Sequence, residues 1–289
     1  MRVLVVTAVP AERDAVTRAF GDGTRVTVRR VPGAELHRVR GSGGPGGPGG
    51  PGVAIDVLAG GAGPAAAAAA TAFGLASGHA SAMPGDAPGP TPGPGSGAAP
   101  DGSVSGPYTP GSAPHCLAPA SYDLVVSAGI GGGFVPAAPV GSLVVASGIV
   151  AADLGAETPE GFVPVTGLGF GRDRHVPPRS LVRDVTAATG ALPGEILTVS
   201  TVTGSAERAA ALLAAHPRAA AEAMEGFGVA EAADRAGVPV LELRAVSNAV
   251  GPRDRDAWRI GDALTALTGA FGKLLPVLEG WTRHDRHHA

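Results

Sequence analysis

The sequence predicts an α/β protein, a single domain with a mixed, mostly parallel central sheet flanked by helices. Three observations carry this. Short runs of Val, Leu and Ile alternate with segments of helical spacing, the order that builds strand–helix–strand units. Of the 289 residues 44% are hydrophobic but only 4% aromatic, so the core is aliphatic. The 46 glycines and 27 prolines, about a quarter of the chain, reach a level that suggests low complexity, but they cluster in 41–52 and 77–118.

Residues 2–8, RVLVVTA, are an apolar run read as a buried strand. Pro10 suits the first turn of a helix, which continues through Glu12, Arg13 and Asp14 with Val16 and Phe20 on one face. Residues 24–31 and 35–39 form a meander. VAIDVLA at 53–59 is a further strand, broken by Gly60, Gly61 and Gly63 before a helix from Pro64 to about Leu75. The stretches 41–52 and 77–118 hold too few large apolar side chains to offset ordering entropy, and are expected to be disordered insertions within the one domain, 1–289. Tyr122–Ser127 is a strand running into a glycine-rich turn, AGIGGGF. Val140–Val150 is a strand, 178–189 a helix, Glu195–Thr201 a strand and Ser205–Ala215 a helix. A helix over 225–236 starts at Met224–Glu225. Val238–Val246 is a strand ending at Ser247–Asn248, and 256–279 is a closing amphipathic helix.

Composition excludes several classes. A net charge of −3 implies no basic face in bulk, so nucleic acid is not an expected partner. The lone Cys116 cannot form an internal disulfide and fits a reducing, cytoplasmic setting. Val3–Val6 is too short for a signal peptide, and no run approaches the roughly 20 apolar residues of a membrane span, so no membrane is expected. The histidines of the tail HDRHHA lack convergent ligands. No metal and no other cofactor is expected.

Four segments bear polar groups where chemistry is done. Glu12 follows a buried strand, where open α/β sheets place ligands, although a helix start favours a carboxylate for its own sake. SAGIGGGF at 127–134 lets a backbone approach a ligand closely. It is no dinucleotide fingerprint, because Phe134 stands where the last glycine is required. AEAMEGFG at 221–228 puts Glu222 and Glu225 at a helix start, and a carboxylate accepts two hydrogen bonds at once, as a ribose diol requires. RAVSNAVGPRD at 244–254 ends a strand on Ser247 and Asn248. Asn offers donor and acceptor to the edge of an oxopurine, and equally suits a turn.

Taken in order, the strand-then-Glu start, SAGIGG, the loop TVTGSAER at 201–208, AMEG and RAVSN resemble the purine nucleoside phosphorylase and nucleosidase superfamily over nearly the whole chain outside the two glycine-rich stretches. Within it, VTAVPAERDAV and RAVSNAVGPRDRDAWRI look like the futalosine hydrolase family, whose members cleave the N-glycosidic bond of futalosine to hypoxanthine and dehypoxanthine futalosine on a route to menaquinone. The resemblance implies that Glu12 activates the attacking water and that Ser127, Ala128 and Gly129 line the nucleoside. It implies that Met224 and Glu225 lie under the ribose, with Glu225 on its hydroxyls, and that Asn248 faces the purine. Family members form dimers or higher oligomers, so a homo-oligomer is expected.

Adenine-specific members carry Asp at the position of Asn248. A 6-oxopurine presents an acceptor where adenine presents a donor, and two facing acceptors cost about 1–3 kcal/mol. An Asn amide donates to O6 while its carbonyl accepts from a protonated N7, so hypoxanthine or guanine is expected over adenine. Arg13 and Arg208 make no convincing phosphate cluster, which favours hydrolase over phosphorylase. Futalosine carries a benzoate on its 5′ side. Arg172, Arg174, Arg253 and Arg255 are its candidate partners, with Phe134, Phe170 and Trp258 as candidate walls.

Overall fold

The computed structural model describes residues 1–21, 24–40, 53–80 and 122–281. The chain opens with β1 (Arg2–Thr7), α1 (Pro10–Arg18), β2 (Arg25–Val31), β3 (Ala34–Arg40), β4 (Ala54–Ala59) and α2 (Pro64–Ala80). It continues through β5 (Leu124–Gly133), β6 (Leu143–Ala151), the hairpin β7 (Gly155–Thr158) and β8 (Gly161–Pro164), β9 (Arg174–His175) and α3 (Arg179–Thr189). The last elements are β10 (Leu192–Thr198), α4 (Ala206–Ala215), β11 (Ala219–Ala223), α5 (Gly226–Arg235), β12 (Val240–Ala249) and α6 (Ile260–Trp281).

Among the described residues one sheet runs in the order β11-β10-β6-β12-β5-β1-β4-β3-β2, with β9 beside β6. Pairing is parallel along β4, β1, β5 and β12, and again along β6, β10 and β11. It is antiparallel where β12 meets β6 and in the β2–β3–β4 meander. The glycines at the end of β5 also pair with β11, Ala221 opposite Gly133 and Glu222 opposite Gly132. Strands β5, β12, β6, β10 and β11 therefore close on themselves, and the end of β5 lies between β12 and β11.

The period of two in β1 distributes its side chains to two layers. Val3 and Val5 pack with Ala15 and Val16 of α1, Val185 of α3 and Leu267 and Phe271 of α6. Leu4 and Val6 pack with Ala67 and Ala70 of α2 and Val229 and Ala233 of α5. A strand covered on both faces reads as a continuous apolar run, as RVLVVT does. Helices α2 and α5 meet closely: a Cβ on Gly228 would sit 2.0 Å from the Pro64 carbonyl oxygen. Strands β1, β4 and β3 are fastened together by Asp56 on β4. It accepts from Arg2 Nη2 at 2.7 Å, Arg38 Nε at 2.9 Å and the Tyr122 hydroxyl at 2.6 Å. Burial raises the Asp56 carboxyl, but these bonds outweigh it and hold the group below its ordinary range.

Several expectations are corrected. AGIGGGF is not a turn after a strand. Ala128 to Gly133 continue β5, because β12 on one side and β11 on the other satisfy their backbone. Ser247 and Asn248 lie inside β12, at a bulge between Val246 and Asn248. Glu222 is a strand residue of β11, so only Glu225 stands at the start of α5. Helix α2 runs to Ala80, so residues 77–80 are helical. The stretch 41–52, the rest of the expected insertion (81–118) and the tail from His284 lie outside the described residues. Strands β7, β8, β9 and β11 carry little pattern of their own. AAAEA in β11 becomes a strand because its neighbours pair with it.

Candidate active site

The link from β1 to α1 is short, and it turns Glu12 back toward the sheet. Glu12 Oε2 accepts from the backbone N–H of Ala8 at 2.9 Å and of Val9 at 3.2 Å. That is the carboxylate half of a capping box. A third bond exceeds what a cap needs: Oε1 accepts from the Ile130 N–H of β5 at 2.8 Å. Glu12 is buried, and burial pushes its carboxyl above the ordinary range although Arg244 and the Ile130 N–H pull it down.

Gly129 is what allows this approach. A Cβ there would lie 2.5 Å from Glu12 Oε1 and 2.7 Å from Arg244 Nη1. Arg244, on β12 and 1% exposed, is the hub of the site. Its Nε donates to Glu242 Oε1 at 2.9 Å and its Nη2 to Ser127 Oγ at 3.0 Å. Its Nη1 lies 3.1 Å from Glu225 Oε2, without hydrogen-bond geometry. Burial pushes the Glu242 carboxyl up to about 7 despite Arg244 beside it. Three buried carboxylates, Glu12, Glu225 and Glu242, thus surround one guanidinium, and the surplus negative charge favours a cation held near them.

Glu225 stands just before α5, which brings its carboxylate to the end of the closed strand ring. Its Oε1 accepts from the Gly63 N–H at 3.2 Å. The Gly63 N–H takes one of about four acceptor positions and Arg244 stands beside the other oxygen as a charge, so acceptor positions remain for a ligand. Gly226 leaves room beneath, since a Cβ there would lie 2.1 Å from Glu242 Oε2. Glu222 is turned elsewhere, and both its oxygens bind Thr203, through the backbone N–H at 2.9 Å and through the hydroxyl. It pins the loop between β10 and α4. Asn248 sits opposite Gly132 in the β12–β5 register. Its Oδ1 accepts from Ser247 Oγ at 2.9 Å and its Nδ2 donates to the Ala249 carbonyl at 3.0 Å, leaving one N–H and one lone pair on the half-buried amide.

The fold therefore brings Glu12, Gly129, Glu225 and Asn248 to the end of β5. Ser127 is wholly buried and reaches the site through Arg244, Ala128 belongs to the apolar core, and Met224 is half-buried beside Glu225. Arg244 and Glu242 were missed by sequence reasoning. The signal was present, two charged residues at i and i+2 inside the otherwise apolar VLELRAV, a strand buried on both faces.

The model of the phosphorylase superfamily matches residues 3–275, and the chain belongs to that superfamily. Its likeness to known proteins narrows this further. The chain is 56% identical over 287 residues to the futalosine hydrolase of Streptomyces coelicolor, in an alignment covering 99% of this chain and 100% of that relative, which puts both in one family. Among solved structures it resembles the methylthioadenosine/S-adenosylhomocysteine nucleosidase of Colwellia psychrerythraea, in complex with adenine. The TM-score is 0.66 at 19% identity, with 97% of this chain and 95% of that one covered. It also resembles the futalosine hydrolase of Helicobacter pylori, with a TM-score of 0.65 at 17% identity, covering 96% and 97% of the two chains. At these identities the structures establish the fold. No described helix is long and apolar enough to cross a membrane.

Proposed function

We propose that this protein hydrolyses the N-glycosidic bond of futalosine, releasing hypoxanthine and dehypoxanthine futalosine on the route to menaquinone. The observation that carries the mechanism is Arg244 Nη1, a buried donor that makes no hydrogen bond among the described residues, between Glu12 and Glu225. A water there accepts from Nη1 and donates to Glu12. The bond between the anomeric carbon and N9 breaks first, its electron pair leaving with the base, and the sugar becomes oxocarbenium-like. Water oxygen bonds to the anomeric carbon and its proton passes to Glu12, whose raised carboxyl suits a general base near neutral pH. The surrounding carboxylates stabilise the cation. Glu225 holds the 2′- and 3′-hydroxyls on its free acceptor positions and so fixes the geometry of attack.

Asn248 faces the purine, its free N–H donating to O6 and its free lone pair accepting from N7 as that nitrogen takes a proton from solvent. Asn has no proton of its own to give, so hydrogen bonding supports the leaving base. The reading places the protein in the cytoplasm as a homo-oligomer. The test incubates purified protein with futalosine, inosine and methylthioadenosine in phosphate-free buffer and follows free base by chromatography. Hypoxanthine from futalosine is expected. Adenine from methylthioadenosine overturns the role of Asn248, and release only with added phosphate overturns hydrolysis. Purine binding without turnover would make the protein a nucleoside-binding module.

A further inference from the structure

The excursion between β12 and α6 leaves the site and comes back to it. It departs directly after Asn248 and Ala249, where the Val250 N–H donates to the Gly133 carbonyl at 2.9 Å. It returns where the Arg259 N–H donates to the Ser247 carbonyl at 2.8 Å. One end is tied to the end of β5 and the other to β12 beside Asn248, so residues 250–259 border the mouth of the site. Helix α6 is in turn held to α1, the helix of Glu12, by Thr268 Oγ1 on the Ala15 carbonyl at 2.8 Å.

This excursion carries Arg253, whose guanidinium lies over the Trp258 ring with its carbon 5.6 Å from the centroid, within cation–π range. Trp258 is half-buried, and its backbone N–H donates to the Arg255 carbonyl at 3.2 Å, which forms a turn within the excursion. Among the described residues no carboxylate lies in ion-pair contact with Arg253. The other cations differ. Arg172 is engaged by Asp234 at 3.0 Å, and Arg174 by the buried Glu195 at 2.8 Å. Arg259 spends Nη1 on the Asp256 carbonyl at 3.3 Å. Arg255 is exposed and has no aromatic platform among the described residues.

We infer that Arg253, held over Trp258, receives the aryl carboxylate at the 5′ side of the substrate, so that this pair selects futalosine over simple 6-oxopurine nucleosides. The inference rests on the reading of futalosine as substrate. A guanidinium offers two parallel N–H groups to a carboxylate, and stacking on the indole orders the fork before the ligand arrives. The flat indole beside it suits an aryl ring.

The experiment measures kcat and KM for futalosine, its methyl ester and inosine, with the wild type, Arg253→Gln and Arg255→Gln. The expected result with Arg253→Gln is a roughly tenfold fall in the preference for futalosine over inosine, carried by KM. The methyl ester shows the same fall with the wild type and none further with Arg253→Gln. An unchanged preference in Arg253→Gln, a loss that follows Arg255→Gln instead, or an ester bound as well as the acid overturns the assignment. A wild type that releases no hypoxanthine from futalosine overturns the substrate reading itself, which separates the two failures.

Discussion

Replacing Gly129 by Ala tests the geometry of the site with one methyl group. Gly129 lies within β5 in strand conformation, so the backbone accepts alanine and the effect is steric. The new Cβ would stand 2.5 Å from Glu12 Oε1, 2.7 Å from Arg244 Nη1 and 2.9 Å from the Glu12 carboxyl carbon. An ordinary contact is about 3.5 Å, so one partner must withdraw by about 1 Å. Neither moves freely. Glu12 is held by three backbone N–H groups, and Arg244 by Glu242, Glu225 and Ser127. Overpacking of this kind costs about 1–3 kcal/mol of stability. A displacement of about 1 Å at the base costs on the order of 100-fold in rate. The assay is kcat and KM for futalosine alongside thermal unfolding, and the loss is expected in kcat. A Gly129→Ala enzyme that folds and retains kcat within about twofold refutes the argument that Glu12 and Arg244 must meet across this residue.

Three further outcomes follow from the same geometry. Glu12→Gln lowers kcat by about 100- to 10,000-fold while hypoxanthine binding, read by calorimetry, persists. In the wild type the acid limb of kcat/KM lies above 4.5, because burial keeps Glu12 protonated to higher pH than a free glutamate. Asn248→Asp lowers kcat/KM for the hypoxanthine nucleoside by about 5- to 150-fold, as two facing acceptors cost about 1–3 kcal/mol, and raises relative turnover of adenine nucleosides. Glu242, pushed up to about 7, makes a contribution to stability that is full below 4.5 and is lost as pH rises through about 7. Asp56 and Glu195, held below their ordinary range by arginine, act oppositely and lose theirs on acidification. Denaturant titrations from pH 5 to 8 should therefore show stability falling between pH 5 and about 7, by up to about 1.4 kcal/mol per unit for this group, and levelling off above. The slope should become shallower in Glu242→Gln, with the raised carboxyls of Glu12 and Glu222 leaving a remainder, and an unchanged slope there would remove Glu242 as a source.

The fold was legible wherever an element carried its own pattern. RVLVVT, AIDVLA and VLELRAV are buried on both faces and read as strands without their neighbours. The helices α1, α3 and α4 begin within a residue of the expected starts at 10, 178 and 205. The glycines of β5 were misread because glycine in a sequence signals a turn. Here they let β11, β12 and the Glu12 carboxylate crowd one strand, and only the closed ring of strands reveals that. AAAEA of β11 has no pattern of its own and takes its conformation from its partners.

The site divides in the same way. That Glu12, Glu225 and Asn248 lie near the ends of elements was legible in the sequence, and the structure brings the three to one end of the sheet. Among the four arginines proposed for the substrate carboxylate, Arg172 and Arg174 were indistinguishable from Arg253 until Asp234 and Glu195 were seen beside them. Composition and hydrophobic period determined an aliphatic α/β domain and the residue types available for N-glycosidic hydrolysis, because burial acts locally along the chain. Which carboxylates share Arg244, and which cation is left for a ligand, the tertiary structure alone decided. A polar contact is set by distance and burial between residues that can lie more than a hundred positions apart, as in the hydrogen bond from the Ile130 N–H to Glu12, and no local pattern records that.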